Sequence, residues 1–137
     1  MRLDDPRVQR FLAGKEIAVL ATAGADGAPL ATPMWFLHDA TTVTMLSQAD
    51  TQKVRNLRRD ARACVVAEAG GGGEAIRGVT VQGRAEFLGD GAERRALVER
   101  FHAKYPGLAG LWRGRAMPAD RVMFRIVPAR VRHWGLG

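Results

Sequence analysis

The residues with chemistry to offer are concentrated between positions 30 and 60. Ser47, Thr51, Lys53 and Arg55 follow one another where an apolar strand gives way to a short basic helix. Hydroxyls, a lysine and the free N–H groups of a helix start together make an anion site. Just upstream, Thr32-Pro33-Met34-Trp35-Phe36 places an indole and a phenyl ring on one strand, which supplies a flat apolar wall. Wall and anion site together match a flat ring joined to a phosphate, the outline of a flavin-type cofactor. Asp50 stands directly before Thr51. If Asp50 is the helix N-cap, its carboxylate competes for the same N–H groups.

Other chemistry is poorly represented. Cys64 is the only cysteine, which excludes an internal disulfide and a Cys-rich metal site. Its setting, Ala63-Cys64-Val65-Val66-Ala67, predicts a buried thiol that packs as a small hydrophobe. His38, His102 and His133 are scattered and lack metal-ligand spacing. No Ser-His-Asp or paired-carboxylate arrangement is supported by spacing. Gly70-Gly71-Gly72-Gly73 is a loop tip and not a phosphate loop, because no Gly-Lys-Ser/Thr follows. The absence of an acid–base set suits chemistry carried by a cofactor, where the protein supplies binding, orientation and electrostatics.

The elements that must position these residues follow from the pattern. Asp5-Pro6 opens a helix with Val8, Phe11 and Leu12 on one face, closed by Gly14. Ile17 to Ala23 reads as a strand, and Gly24-Ala25-Asp26-Gly27 as a tight turn. Strands follow at Ala28 to Phe36 and Thr42 to Ser47, then the helix Thr51 to Asp60 and a strand around Cys64. Ile76 to Leu88 alternates apolar and polar residues with period two. Asp90 and Glu93 fit a capping box for a helix that runs to about Tyr105, with Leu97, Val98, Phe101 and Tyr105 inward. Leu108 to Ala119 reads as a loop or short helix carrying Trp112. Two last strands, Arg121 to Val127 and Ala129 to Trp134, are expected on either side of Pro128. Six or seven short strands joined mostly as hairpins, with three peripheral helices, predict a mainly β, antiparallel, closed or partly closed barrel.

At 137 residues, 47% apolar and 26% charged, the chain is expected to fold as one soluble domain spanning residues 1–137. No apolar run approaches the ~20 residues of a membrane span. The first residues lack the apolar stretch of a signal peptide, so a cytoplasmic protein is expected. The net charge of +7 suits a polyanionic ligand, nucleic acid or a lipid surface, and equally a solvated surface, since the basic residues are spread along the chain.

The pattern Leu20-Ala21-Thr22, Asp26-Gly27-Ala28-Pro29, Thr32-Pro33-Met34-Trp35-Phe36 and Lys53-Val54-Arg55-Asn56-Leu57-Arg58-Arg59-Asp60 resembles the pyridoxamine 5'-phosphate oxidase-like proteins. Within them it is most similar to the small flavin- or deazaflavin-dependent oxidoreductases. The resemblance spans roughly residues 8 to 134, with Lys53 to Asp60 its most specific part. It implies a split β-barrel, the FMN-binding type, that forms a homodimer with two cofactors in grooves at the subunit interface. It implies that the strand matching Thr32, Pro33, Met34 and Trp35 lies against the ring. It also implies that Ser47, Thr51, Lys53 and Arg55 hold the phosphate, and Asn56 falls within the same motif. It further implies that the C-terminal strand, with Trp134, lies near the groove. Trp35 and Phe36 point to opposite faces of a strand, so one joins the core and the other faces the groove.

Two function classes stand on these readings. The first is an oxidoreductase that uses coenzyme F-420 or FMN to move a hydride to or from a small organic substrate. The basic surplus, with Arg55, Arg58 and Arg59 beyond Lys53, leans toward the deazaflavin's longer anionic tail. The second is a non-catalytic barrel that holds flavin or haem. A basic barrel that binds nucleic acid through Arg130, Arg132 and Trp134 on one strand face is the least favoured.

Overall fold

The computed structural model describes residues 2–73 and 75–137. Along the chain run α1 (Pro6–Ala13), β1 (Ala18–Ala23), β2 (Pro29–Met34), β3 (Phe36–His38), β4 (Val43–Gln48) and α2 (Gln52–Arg59). They are followed by β5 (Arg62–Ala69), β6 (Arg77–Leu88), α3 (Ala92–Lys104), α4 (Leu108–Trp112) and β7 (Arg121–Trp134). The strands form one sheet in the order β2-β1-β5-β6-β7-β4-β3. Every pairing is antiparallel.

Topology alone shows that this sheet is curled. β2 and β3 are its two opposite edges, yet only Trp35 separates them in the chain. Consecutive Cα atoms lie about 3.8 Å apart. The edges must therefore meet at Trp35, and the sheet closes on itself there as a split β-barrel. The single strand expected from Ala28 to Phe36 is thus two strands on opposite sides of the split.

Inside the barrel, alternate residues of every long strand meet. Leu20, Phe36, Met45, Val65, Val79, Val81, Phe124 and Ile126 are all essentially sealed from solvent. A second apolar cluster joins α3 and α4 to the outside of the sheet through Leu37, Val98, Phe101, Tyr105, Leu108 and Met123. The inward face expected for this helix is the one observed.

Several local expectations hold, and others are corrected. Asp5 caps α1 by accepting the Arg7 N–H at 2.8 Å. The β1–β2 turn closes through a bond from the Gly27 N–H to the Gly24 carbonyl, with Gly27 at φ 85°. The cap of α3 is Gly91, and Asp90 instead pairs with Arg94 and Arg95. Pro128 does not interrupt the last strand. β7 runs unbroken, and a register shift opposite Gln82 and Gly83 absorbs the proline. Gly83 is required there, because a Cβ would lie 2.0 Å from the Val127 carbonyl oxygen. Cys64 is half-buried on the outward face of β5 rather than in the core, since Ala63 and Val65 take the inward positions.

The two edges are finished differently. On β3, the Phe36 N–H donates to the Tyr105 hydroxyl at 2.9 Å. Lys104 donates to the Phe36 carbonyl at 2.8 Å, and Arg100 to the His38 carbonyl at 3.1 Å. Residues four apart on a helix thus meet carbonyls two apart on a strand, because both spacings are roughly 6–7 Å. The Tyr105 hydroxyl also stands 2.8 Å from the Glu16 carbonyl, ahead of β1, so it ties both sides of the split. On β2, Pro29 and Pro33 oppose Ala23 and Val19. The bond from the Gly24 N–H to the Ala28 carbonyl sets the alternation, so both prolines direct their nitrogen to the free edge.

Tyr105→Phe keeps the ring but leaves the buried Phe36 N–H unpaired. It is expected to cost about 1–3 kcal/mol in denaturant unfolding. Lys104 lies 3.7 Å above the Phe36 ring, and burial, with Arg100 second, lowers its pKa from 10.5 to about 8. Between those values the unfolded chain holds more protons than the folded one, so this group makes stability rise with pH across that window. Unfolding midpoints followed from pH 7 upward are expected to show this rise in the wild type and to lose it in Lys104→Met.

Candidate functional site

A cleft of about 450 Å³ opens at the split. Pro33, Met34 and Trp35 come from the β2 edge, and Leu46, Ser47 and Gln48 from β4. Leu108, Leu111 and Trp112 close it from α4, Ile17 from the approach to β1, and Arg121 from the start of β7. These elements meet because the crossing at Trp35 brings β2 beside the β3–β4 hairpin, and α3 carries α4 over the gap.

The walls are aromatic and held. Trp35 stacks on Tyr105 with ring centroids 4.3 Å apart and planes 7° from parallel. Tyr105 is in turn fixed by its hydroxyl. Trp112 meets the buried His102 edge-on at 5.4 Å, and His102 is anchored by the Arg115 carbonyl at 2.8 Å. The choice between Trp35 and Phe36 is thereby resolved. Phe36 is fully enclosed in the barrel, and Trp35 faces the cleft.

The cleft leads to the start of α2. The Ser47 Oγ donates to the Gln48 carbonyl at 2.9 Å and lies 3.4 Å from the Thr51 Oγ1. Thr51 is the N-cap of α2 and makes no side-chain capping bond, which leaves the N–H groups of the first turn uncapped among the described residues. Asp50 is not the cap. Its carboxylate is 99% exposed and pairs with Arg55 at 2.6 Å. Lys53, half-buried one residue into the helix, forms no ion pair among the described residues. Burial lowers its pKa below the ordinary lysine value. An ammonium group placed without a counter-ion and partly out of water is stabilised by an arriving anion.

The sequence-derived site residues thus divide. Pro33, Met34, Trp35 and Ser47 line the cleft, Thr51 adjoins it through Ser47, and Lys53 lies in the first turn of α2 outside the lining. Thr32 faces the barrel interior opposite Leu20, and its Oγ1 is enclosed with no hydrogen-bond partner. Asn56 is buried inside α2. Its amide donates to the Thr22 Oγ1 at 3.0 Å and accepts from Gln52 at 2.8 Å, so it anchors the helix to β1 instead of lining the cleft. Arg58 lies over the Phe87 ring and Arg59 donates to the Ala23 carbonyl, so both are engaged in the fold. Sequence reasoning missed Arg121, Leu108, Leu111 and Ile17. Only β4–β7 pairing, which sets Arg121 beside Gln48, brings Arg121 into view. Trp112, expected to pack, both packs and lines the cleft. Trp134 lies across Gly78, where a Cβ would meet its ring at 2.1 Å.

Fold neighbours agree with this architecture. The conserved hypothetical protein Rv2991 of Mycobacterium tuberculosis is 28% identical, with a TM-score of 0.80 over 95% of this chain and 83% of that one. HutZ, the heme storage protein of Vibrio cholerae, is 17% identical, with a TM-score of 0.79 over 96% and 94%. A FAD-binding protein of Mesorhizobium loti is 22% identical, with a TM-score of 0.74 over 90% and 87%. The last two share the fold. No curated protein matches the sequence. The family model described as pyridoxamine 5'-phosphate oxidase matches residues 4–135, nearly the entire split barrel. The chain belongs to the pyridoxamine 5'-phosphate oxidase family.

Proposed function

We propose that the cleft binds FMN or the deazaflavin coenzyme F-420, and that the protein transfers a hydride between that cofactor and a small organic substrate. One observation carries the reading. A cleft walled by two held indoles leads, through Ser47 and Thr51, toward a helix start whose lysine is half-buried and without an ion pair among the described residues. Apolar walls suit the ring, and the hydroxyls, N–H groups and Lys53 suit the phosphate. When bound, the cofactor supplies the electron chemistry. The protein's part is to orient the ring, exclude water and hold the phosphate. The engagement of Arg58 and Arg59 within the fold removes the sequence argument that favoured the deazaflavin tail, so both cofactors stand equally.

A non-catalytic carrier is the second reading, favoured by the shared fold of the FAD-binding and heme storage proteins. For haem, the cleft offers Met34 but no imidazole among its lining residues. Flavin is therefore the better occupant under either reading.

The same reading includes a homodimer. The outward face of β2, β1, β5 and β6 sets Pro33, Val19, Val66 and Thr80 in one row, and Ala31, Ala21, Cys64 and Gln82 in the next. This flat, small-residue surface adjoins the cleft at Pro33. A second copy seated on it would cover the open side of both clefts.

Titration with FMN and with coenzyme F-420, followed by absorbance and fluorescence, tests the cofactor. One of them is expected to bind, and failure of both ends the proposal. Lys53→Ala is expected to weaken the bound cofactor by roughly 10- to 150-fold, the equivalent of about 1.5–3 kcal/mol for a charge-assisted bond. Sedimentation should give twice the 14.9 kDa chain mass. Ala21→Arg, at the centre of the flat face, should return it to the monomer without unfolding it.

A further inference from the structure

Among the described residues, Arg121 is the only basic or acidic side chain on the cleft wall. Its guanidinium side chain is only 20% exposed and is held by a single ion pair, from Nη1 to the Asp120 carboxylate at 2.6 Å. Asp120 itself is 75% exposed, so its charge is well solvated and screens Arg121 only partly. Covering an arginine in a largely apolar cleft is unfavourable unless something there uses its donors. Arg121 shares the cleft with Trp35, Trp112, Leu108 and Leu111, the groups suited to a ring. The phosphate site proposed above uses the N-cap Thr51 and Lys53, neither of which is among the residues that line this cleft.

We propose that Arg121 reads the edge of the bound ring and sets the preference of the cleft for the reduced cofactor. The inference rests on the flavin reading above and deepens it. The phosphate has the same charge in both redox states, so Lys53 contributes equally to both. Reduced FMN carries an additional negative charge on its ring near neutral pH. A largely covered guanidinium beside that ring therefore favours the reduced form in a way that Lys53 does not.

The experiment compares the dissociation constants of two redox states across four proteins. Oxidised FMN and FMN reduced anaerobically with dithionite are titrated into the wild type, Arg121→Gln, Arg121→Lys and Lys53→Ala, each first checked for the wild-type circular dichroism spectrum. In Arg121→Gln, reduced FMN is expected to bind at least tenfold more weakly, and oxidised FMN to change less than threefold. A tenfold difference between the two states lowers the midpoint potential of bound FMN by about 30 mV for a two-electron couple. Arg121→Lys, which keeps the charge, is expected to recover most of the shift. Lys53→Ala is expected to weaken both states alike and leave the potential unchanged. Riboflavin, which has the ring without the phosphate, should respond to Arg121→Gln as FMN does.

Equal weakening of both redox states in Arg121→Gln would overturn the inference. So would an effect seen with FMN and absent with riboflavin, which would make Arg121 a phosphate ligand. If the wild type binds FMN in neither state, this inference falls, and the F-420 titration described above decides separately whether the wider reading falls with it.

Discussion

One residue of chain joins the two edges of a seven-stranded sheet, and most of the molecule follows from that constraint. Trp35 cannot span from β2 to β3 unless the sheet curls until its ends touch. The curl creates an interior, which the alternating apolar residues fill. It also creates a seam where backbone polar groups of two edge strands face each other without pairing. Tyr105 resolves that conflict for β3 by taking the Phe36 N–H and reaching the Glu16 carbonyl across the seam. The same tyrosine then serves as the surface on which Trp35 lies flat. Closure of the barrel and shape of the cleft are therefore one event, because the residue that crosses the seam is also the wall of the site.

Much of the fold was legible in the sequence. Period-two alternation located the strands, the Asp-Gly turn marked the first hairpin, and the apolar face of α3 was named correctly. What escaped was whatever depends on partners distant in sequence. Residues Thr32 to Phe36 look like one strand because no local signal marks the crossing at Trp35. Pro128 looks like a break because the residue that accommodates it, Gly83, lies on another strand. Asp90 carries cap chemistry, but nearby Arg94 and Arg95 compete for its carboxylate.

The candidate site divided in the same way. The proximity of Ser47 and Thr51 at the start of α2 was legible because it is local in sequence. Asn56 belongs to the same stretch, but helical periodicity turns it inward toward Thr22. Arg121 carries no sequence signal, since an isolated arginine at a strand start resembles any solvated one. Its significance comes entirely from antiparallel register, which sets it beside Gln48 and on the wall of the cleft. The basic surplus of the chain follows a similar logic. Many arginines are bound to carboxylates, rings or carbonyls of the fold, so net charge was a poor guide to which cations are free.

The prolines of β2 have a consequence of their own. An exposed edge strand normally recruits a further strand, from a peptide or from another molecule, because it offers donors and acceptors in alternation. Along the free edge of β2, Pro29 and Pro33 withhold the donors on either side of Ala31 and leave their carbonyls in place. Such an edge rejects a polypeptide, which must be met by both kinds of group, and so protects the seam against fibrous growth. It still accepts hydrogen bonds from a small molecule that brings its own N–H groups. The strand that borders the cleft thus resists the addition of a further strand while it keeps acceptors for a small molecule.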